Sequence, residues 1–410
     1  MDVIIIGGGA AGCSIAMQLA ERGQRVLVLE KGMLGCGSTG RAAGLGGQLR
    51  SSPDETRLLK QGLDIVLELE RRLGKRLFVR TGSLHVATTP ARATEICDFV
   101  RMGQDIGFEI EPVSRERAAE LLPCMKADDL TEMCYCPTDG HFQPAELLAA
   151  YVEVARAAGA RFLTRTPVES IDIAGGVVRG VRAGGQTYTA PIVVNSAGPW
   201  SHLLADLAGV SMPTAAIGHY YLVTHALPEV PISRTDAAIR DRENRIYSRP
   251  ELGGLLVGTY EKEPVLYDMR ELGPDFEMAS MRASRDSINV ALLIESASRR
   301  FPFIDHRTPM TITTGIMTFT PDGYALCGPV PTVDGLYHST GFNGRGVFQS
   351  AAVGRIMADL ILDGSCPDPV SHLRPDRMDD LPGLGDRDSI NARCYDRYAN
   401  HYGSDVGAGR

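Results

Sequence analysis

The chain opens on Val3-Ile4-Ile5-Ile6 followed by Gly7-Gly8-Gly9-Ala10-Ala11-Gly12, and no other segment constrains the fold as tightly. Four uninterrupted branched apolar residues predict a fully buried strand. Residues 13–23 carry small and apolar side chains at helical spacing, with Gly23 where a C-cap belongs, and residues 25–30 predict a second strand. This β-α-β opening places Gly7-x-Gly9-x-x-Gly12 at the strand-to-helix turn and an acid, Glu30, eighteen positions after Gly12. Gly7 permits the tight turn, Gly9 lets a pyrophosphate approach the backbone, and Gly12 brings the helix close to the strand. The helix N-terminus offers unpaired N–H groups and a positive dipole end, while Glu30 accepts hydrogen bonds from an adenosine ribose.

A second glycine-rich run, residues 35–47, follows at once. Such a run packs poorly as helix or strand, so its economical use is close backbone approach to a large ligand. A nicotinamide enzyme needs only the first loop, whereas a cofactor lying deep across the domain needs a second, which points to FAD. Ser38, Thr39 and Arg41 supply contacts to phosphate or ribitol. A third loop, residues 341–346, precedes a helix predicted from about 347 to 362 and repeats the anion-binding logic. Between the loops, helices are predicted over 90–107, 114–122 (Ser114 as N-cap) and 144–159. Short strands fill 161–198 and end in Val194-Asn195-Ser196-Ala197-Gly198, and strand-like segments over 219–260 and 309–319 suit a sheet that covers a substrate.

Composition narrows the function classes. With 44% hydrophobic and 22% charged residues over 410 positions, two soluble domains are expected. Forty-two basic against fifty acidic residues give a net charge of −8, which argues against nucleic acid and anionic bilayers as partners. No apolar run reaches spanning length, and the N-terminus begins as a strand rather than a signal peptide. Nine cysteines, an odd number, argue against a disulfide framework and for a reducing, cytoplasmic setting. Cys134-Tyr-Cys136 has the wrong spacing for structural zinc, its thiols are expected on opposite strand faces, and no metal is expected. Hydrolase readings lack a Gly-x-Ser-x-Gly elbow, a His-Glu-x-x-His motif and a Walker loop.

The opening motif with Glu30, Gly37-Ser38-Thr39-Gly40, Asp139-Gly140-His141 with Pro144, residues 194–198, Thr320-Pro321-Asp322-Gly323 and Gly341-Phe342-Asn343-Gly344 occur in the order seen in a known family. In these motifs the chain resembles FAD-dependent amine oxidoreductases of the D-amino-acid oxidase superfamily, and most of all the sarcosine and dimethylglycine dehydrogenase/oxidase branch. The tail, Tyr395–Tyr402, resembles the linker that follows the flavin domain in mitochondrial-type enzymes. The resemblance implies hydride removal from a carbon beside an amine nitrogen to flavin N5, giving an imine that water hydrolyses. It implies a cofactor wall of Gly7, Gly9, Ala11, Gly12, Glu30, Lys31, Ser38, Thr39, Arg41, Ala43, Gly44, Val168, Ala197, Gly198, Trp200, Gly341, Asn343, Gly344, Arg345 and Gly346. His219 and Tyr260 look like orienting or proton-handling groups, and Arg50 and Arg345 like carboxylate-binding ones.

Departures from the pattern carry expectations too. The flavin-linking histidine of dimethylglycine-type relatives aligns with Arg41, and the flavin-linking cysteine of monomeric sarcosine oxidases aligns with Gly315-Ile316-Met317. Noncovalent FAD is therefore expected. The oxygen-activating lysine of those oxidases aligns with Leu256, which favours a dehydrogenase. The expected fold is α/β: a discontinuous Rossmann-like FAD-binding domain (1–80, 140–215, 320–366), interleaved with an α+β substrate domain on an antiparallel sheet (81–139, 216–319), and a C-terminal tail (367–410). Alternatives within this frame are a D-amino-acid or cyclic imino-acid dehydrogenase, and a flavin-carrying electron-relay subunit of a hetero-oligomer. Expected partners are a small-molecule amine and an electron acceptor, with a separate subunit able to supply the folate-binding half of the mitochondrial-type enzymes.

Overall fold

Val3–Ile6 forms the interior of a six-stranded sheet in the order Leu326–Pro329, Leu336–Thr340, Ile192–Asn195, Val3–Ile6, Val26–Leu29, Arg161–Leu163. A computed structural model describes residues 1–50, 52–273, 276–284, 287–368 and 370–401. Five of the strands run parallel, and Leu326–Pro329 closes one edge antiparallel. Strands buried on both faces need no polar alternation, which is why the first two read as unbroken apolar runs. Val3, Ile5, Val26 and Val28 pack beneath helices Ala10–Glu21, Pro53–Leu73, Pro144–Ala157 and Gly346–Asp363. Ile4, Ile6, Leu27 and Leu29 face the other way, onto the three-stranded antiparallel sheet Val168–Ala174, Val177–Ala183, Gln186–Thr189.

A second, mostly antiparallel sheet of nine strands covers the glycine turns. Ala215–Thr224 pairs over its whole length with Met310–Phe319 and, on its other side, with Gly254–Thr259. Ile246–Glu251, Ala238–Asp241, Ser83–Ala87 and Glu132–Cys136 follow in order. Leu222, Leu255 and Val257 bury one face against helix Ile288–Arg300, leaving the opposite face for the cavity described below. The helices expected from sequence form as Pro90–Asp105, Arg115–Leu121, Pro144–Ala157 and Gly346–Asp363, and the Ser114 hydroxyl caps the second by accepting from Arg117 N. Pro53–Leu73, 21 residues long, was not among the elements read from sequence.

Two expectations are corrected here. Cys134 and Cys136 are both fully buried in one cluster with Phe108 and Ile110, because residues two apart on a strand share a face. The segment after residue 366 is more than a tail: Asp386 Oδ1 accepts from Ser389 N at 2.8 Å and starts helix Arg387–Ala399. That helix buries Ile390, Cys394 and Tyr398 against Ala215, Ile217 and Phe319. Tyr402 and the remaining residues to 410 lie outside the described residues. All nine cysteines are free thiols, and among the described residues no helix is long and apolar enough to cross a membrane.

Candidate active site

The three glycine-bearing turns and the inner face of the large sheet enclose one cavity of about 560 Å³. The glycines at its first turn divide by task. Gly7 sits at φ +111°, and a Cβ there would collide with the Ser196 carbonyl, so this position holds two strands together. A Cβ on Gly12 would collide with the Gly7 carbonyl, which seats the helix on the strand. Gly12 therefore does not line the cavity, a correction to its place in the expected wall. A Cβ on Gly9 would meet only Thr39 Oγ1, at 3.2 Å, so Gly9 keeps its space open toward the cavity. Helix Ala10–Glu21 starts there with Gly9 as its N-cap residue, which has no side chain to cap it, and with no acid in its first turn. Its positive end is thus offered to a ligand.

The neighbouring polar groups are held by local bonds. Glu30 accepts from Gly8 N and Gly32 N, each at 2.8 Å, and its carboxylate retains lone pairs at the cavity edge. Thr39 Oγ1 accepts from Ala10 N at 3.0 Å, while Ser38 Oγ donates to Ile316 O at 2.6 Å. Both side chains line the cavity, yet each is first a tie between loop and scaffold rather than a free phosphate contact. Lys31 Nζ lies 4.0 Å over the Trp200 ring and donates to Phe276 O. Ala11, Ala43, Gly44, Val168, Ala197, Gly198 and Trp200 complete this wall.

At the third turn, Asn343 adopts φ +51° and is fully buried. Its Nδ2 donates to Gly341 O at 2.6 Å, and its Oδ1 accepts from Thr320 N at 3.0 Å. The amide shapes the turn, although Asn343 also borders the cavity. Gly341, at φ +70° beside the Thr320 methyl, belongs to that same turn and does not line the cavity. Gly344, Arg345 and Gly346 do, and Arg345 is the N-cap residue of helix Gly346–Asp363, which gives the cavity a second uncapped helix start.

Arg41 and Gly315, the two positions aligned with flavin-linking residues in different relatives, meet at one spot. A Cβ on Gly315 would sit 2.9 Å from Arg41 Cβ. Neither residue carries a nucleophile. Leu256 is buried in one apolar cluster with Tyr247 and Tyr260 and does not itself border the cavity.

The inner sheet face carries His219 and its hydrogen-bond partners. His219 is buried, with Nδ1 2.6 Å from the Tyr398 hydroxyl and Nε2 2.7 Å from the Tyr247 hydroxyl. Tyr398 donates to Glu261 Oε2. That bond fixes the direction of the whole chain: Tyr398 oxygen accepts from His219 Nδ1–H, and the Nε2 lone pair accepts from Tyr247. Burial and the Glu261 charge push the Tyr398 phenol well above its usual range, so it stays a donor. Tyr247 rests over Gly258, where any Cβ would collide with its ring. Tyr260 borders the same space and stacks on His401 with ring centroids 4.0 Å apart.

Arg50 lines the cavity as well. Its Nη1 donates to Leu49 O at 2.6 Å, its Nε is buried with no partner, and burial together with Arg240 and Arg345 lowers its pKa to about 9. Arg345 is already engaged by Glu55 (3.2 Å) and Gly323 O (2.6 Å). Sequence reasoning missed Tyr247, Glu261, Tyr398, His401, His85 and Arg240. None belongs to a glycine motif, and only the fold brings them together. His85, Cys136 and Asp139 place ligand-type atoms within 4.8 Å of one another, but arginines border His85 and the Asp139 oxygens accept from Ser83 and Gln48.

A Rossmann-type turn, a glycine beside an uncapped helix start, and an acid at the end of the second strand fit the pyrophosphate and ribose of FAD. Residues 2–360 match the family described as FAD dependent oxidoreductase, and the chain belongs to that family. It is 30% identical over 371 residues to mitochondrial sarcosine dehydrogenase of Homo sapiens, covering 88% of this chain and 40% of that protein. It is likewise 30% identical over 384 residues to mitochondrial dimethylglycine dehydrogenase of Mus musculus, covering 92% of this chain and 44% of that one. The chain thus spans less than half the length of these relatives. Among solved structures, glycine oxidase from Geobacillus kaustophilus superposes with a TM-score of 0.78 at 26% identity, covering 92% and 98% of the two chains.

Proposed function

We propose that this chain oxidises a secondary or tertiary amine of an amino acid, N-methyl amino acids included, at a carbon bonded to nitrogen, and that water hydrolyses the resulting imine. One observation carries the reading. A single cavity that fits FAD holds both an arginine with an unpartnered Nε, Arg50, and a tyrosine backed by a chain of hydrogen bonds to a buried carboxylate. FAD, when bound, supplies the hydride acceptor.

The chain's own residues supply the rest. Arg50 holds the substrate carboxylate, and the Tyr260–His401 stack closes the wall beside it. An amine gives up hydride only from its unprotonated form. Tyr247 takes the ammonium proton while passing its own to His219 Nε2, His219 Nδ1–H passes to Tyr398, and Tyr398 to Glu261. Both His219 nitrogens being taken, His219 acts through Tyr247 rather than on substrate directly. We further infer that FAD is held noncovalently, since Arg41 and Gly315 offer no bond and the Cys36 thiol, also at the cavity, is raised in pKa by burial and Glu30. Acid precipitation then leaves the yellow colour in the supernatant; colour in the pellet overturns that point.

The function is tested by loading the protein with FAD and adding N-methyl amino acids without oxygen. Bleaching of the flavin, with formaldehyde or an oxo acid as product, is the expected result. Arg50→Met is expected to raise KM at least tenfold with a smaller effect on kcat. A flavin left fully oxidised by every secondary and tertiary amino acid refutes the assignment.

A further inference from the structure

The cavity carries more positive charge than a cofactor and one carboxylate require. Among the described residues its wall holds seven lysine and arginine side chains against two acids, Glu30 and Glu55. Lys31 and Arg41 serve the cofactor end. The other five surround the substrate end, where Glu55 engages Arg345, Glu95 engages Arg242 and Asp139 attracts Arg50. Guanidinium groups gathered in a partly buried cavity raise its affinity for anions.

The sheet places this charge in an ordered row. His85 is registered with Arg240 across parallel strands, and Arg240 with Tyr247 across antiparallel ones. Cross-strand partners share a face, and strands lie about 4.8 Å apart, so His85 stands roughly 10 Å from Tyr247 along the cavity wall. All three border the cavity. His85 is 6% exposed, and its Nε2 has no hydrogen-bond partner. Burial and the charges of Arg240, Arg242 and Arg50 lower its pKa to about 3, so it stands there as a neutral imidazole. In the tautomer with the proton on Nε2, this nitrogen is a donor able to meet an anion's oxygen.

We propose that His85 and Arg240 form a second anion subsite beside the Arg50 clamp, and that the substrate is an N-alkyl amino acid carrying a second carboxylate. This deepens the amine-oxidation reading and rests on it for the identity of the reacting nitrogen. The reacting amine sits by Tyr247, the first carboxylate on Arg50, and the second acid on Arg240 and His85.

The test uses the FAD-loaded protein and two probes of equal chain length, glutarate and pentanoate, followed by calorimetry. Glutarate is expected to bind at least tenfold more tightly than pentanoate, and N-methylglutamate to exceed N-methylnorvaline at least tenfold in kcat/KM. Arg240→Met and His85→Leu should each bring both ratios toward one, with Arg240→Lys keeping part of them. His85→Leu decides the matter alone if Arg240→Met does not fold. Equal binding of the two probes, or a preference that survives both substitutions, overturns the subsite. If glutarate is preferred but no amine bleaches the flavin, the subsite stands and the oxidation reading fails. If both amines react equally and glutarate has no advantage, the reverse holds.

Discussion

At the scale of single residues, the glycines of the first turn separate folding from binding. Gly7 at φ +111° touches the Ser196 backbone, whereas Gly9 has ordinary φ and a Cβ there would press only on the Thr39 hydroxyl, at 3.2 Å. We expect Gly7→Ala to lower stability by about 2 kcal/mol or more, seen in denaturant unfolding, because both strain and collision follow. Gly9→Val should leave the apoprotein's melting temperature nearly unchanged yet weaken FAD binding at least tenfold in a flavin titration, since its side chain fills the pyrophosphate's space. Equal FAD affinity in that variant would show the phosphate lies elsewhere. Tyr247 carries the second expectation at this scale. Tyr247→Phe breaks the only described hydrogen-bonded route from the cavity to His219 Nε2, so anaerobic flavin reduction should slow at least tenfold near neutral pH and recover toward alkaline pH as free amine becomes available. A pH profile parallel to the parent's removes the relay. The sequence showed His219 as part of a His-Tyr-Tyr segment but showed nothing of its partners, which come from residues 28 and 179 positions away.

At the scale of elements, the C-terminal helix Arg387–Ala399 is the part whose role changed most between sequence and structure. Its composition is polar, with Ile390, Cys394 and Tyr398 as the buried stripe at spacing four. Such a stripe is too sparse to distinguish a docked helix from a linker by periodicity alone. Its position matters because Tyr398 completes the hydrogen-bond chain behind His219 and His401 closes the wall at Tyr260. Asp386→Ala removes the N-cap and should cost about 1 kcal/mol. Deleting residues 386–410 should do far more: expose Phe319 and Tyr260, lower the melting temperature by many degrees and depress flavin bleaching at least tenfold. A truncated protein that melts and reacts like the parent would mean the helix is a passenger.

At the scale of the whole molecule, the interior is acid-sensitive through its histidines. Burial lowers His141, His202 and His338 to about 4 and His85 to about 3, against 6.5 for the free side chain. Between those values the unfolded chain binds the proton and the folded one does not, so stability falls as pH drops from about 6.5 toward 4, by about 1 kcal/mol per histidine per pH unit. Asp139, raised by burial, works in the opposite direction as its carboxyl protonates. We expect the melting temperature to decline steadily below pH 6.5, and less steeply in His338→Leu; a flat profile down to pH 4.5 refutes the neutral interior. The same distinction of local from distant separates what could be read early from what could not. The β-α-β opening, its glycines and Glu30, and the loops at residues 35–47 and 341–346 were legible because backbone geometry imposes residue type at fixed spacing. The sequence alone therefore determined the cofactor and the class of fold that holds it. Only the tertiary structure decided which side chains line and back the cavity, because Arg50, His85, Tyr247, His219 and Tyr398 lie on segments far apart in the chain. Sheet register and helix docking bring them to one cavity, and neither leaves a short-range pattern in sequence.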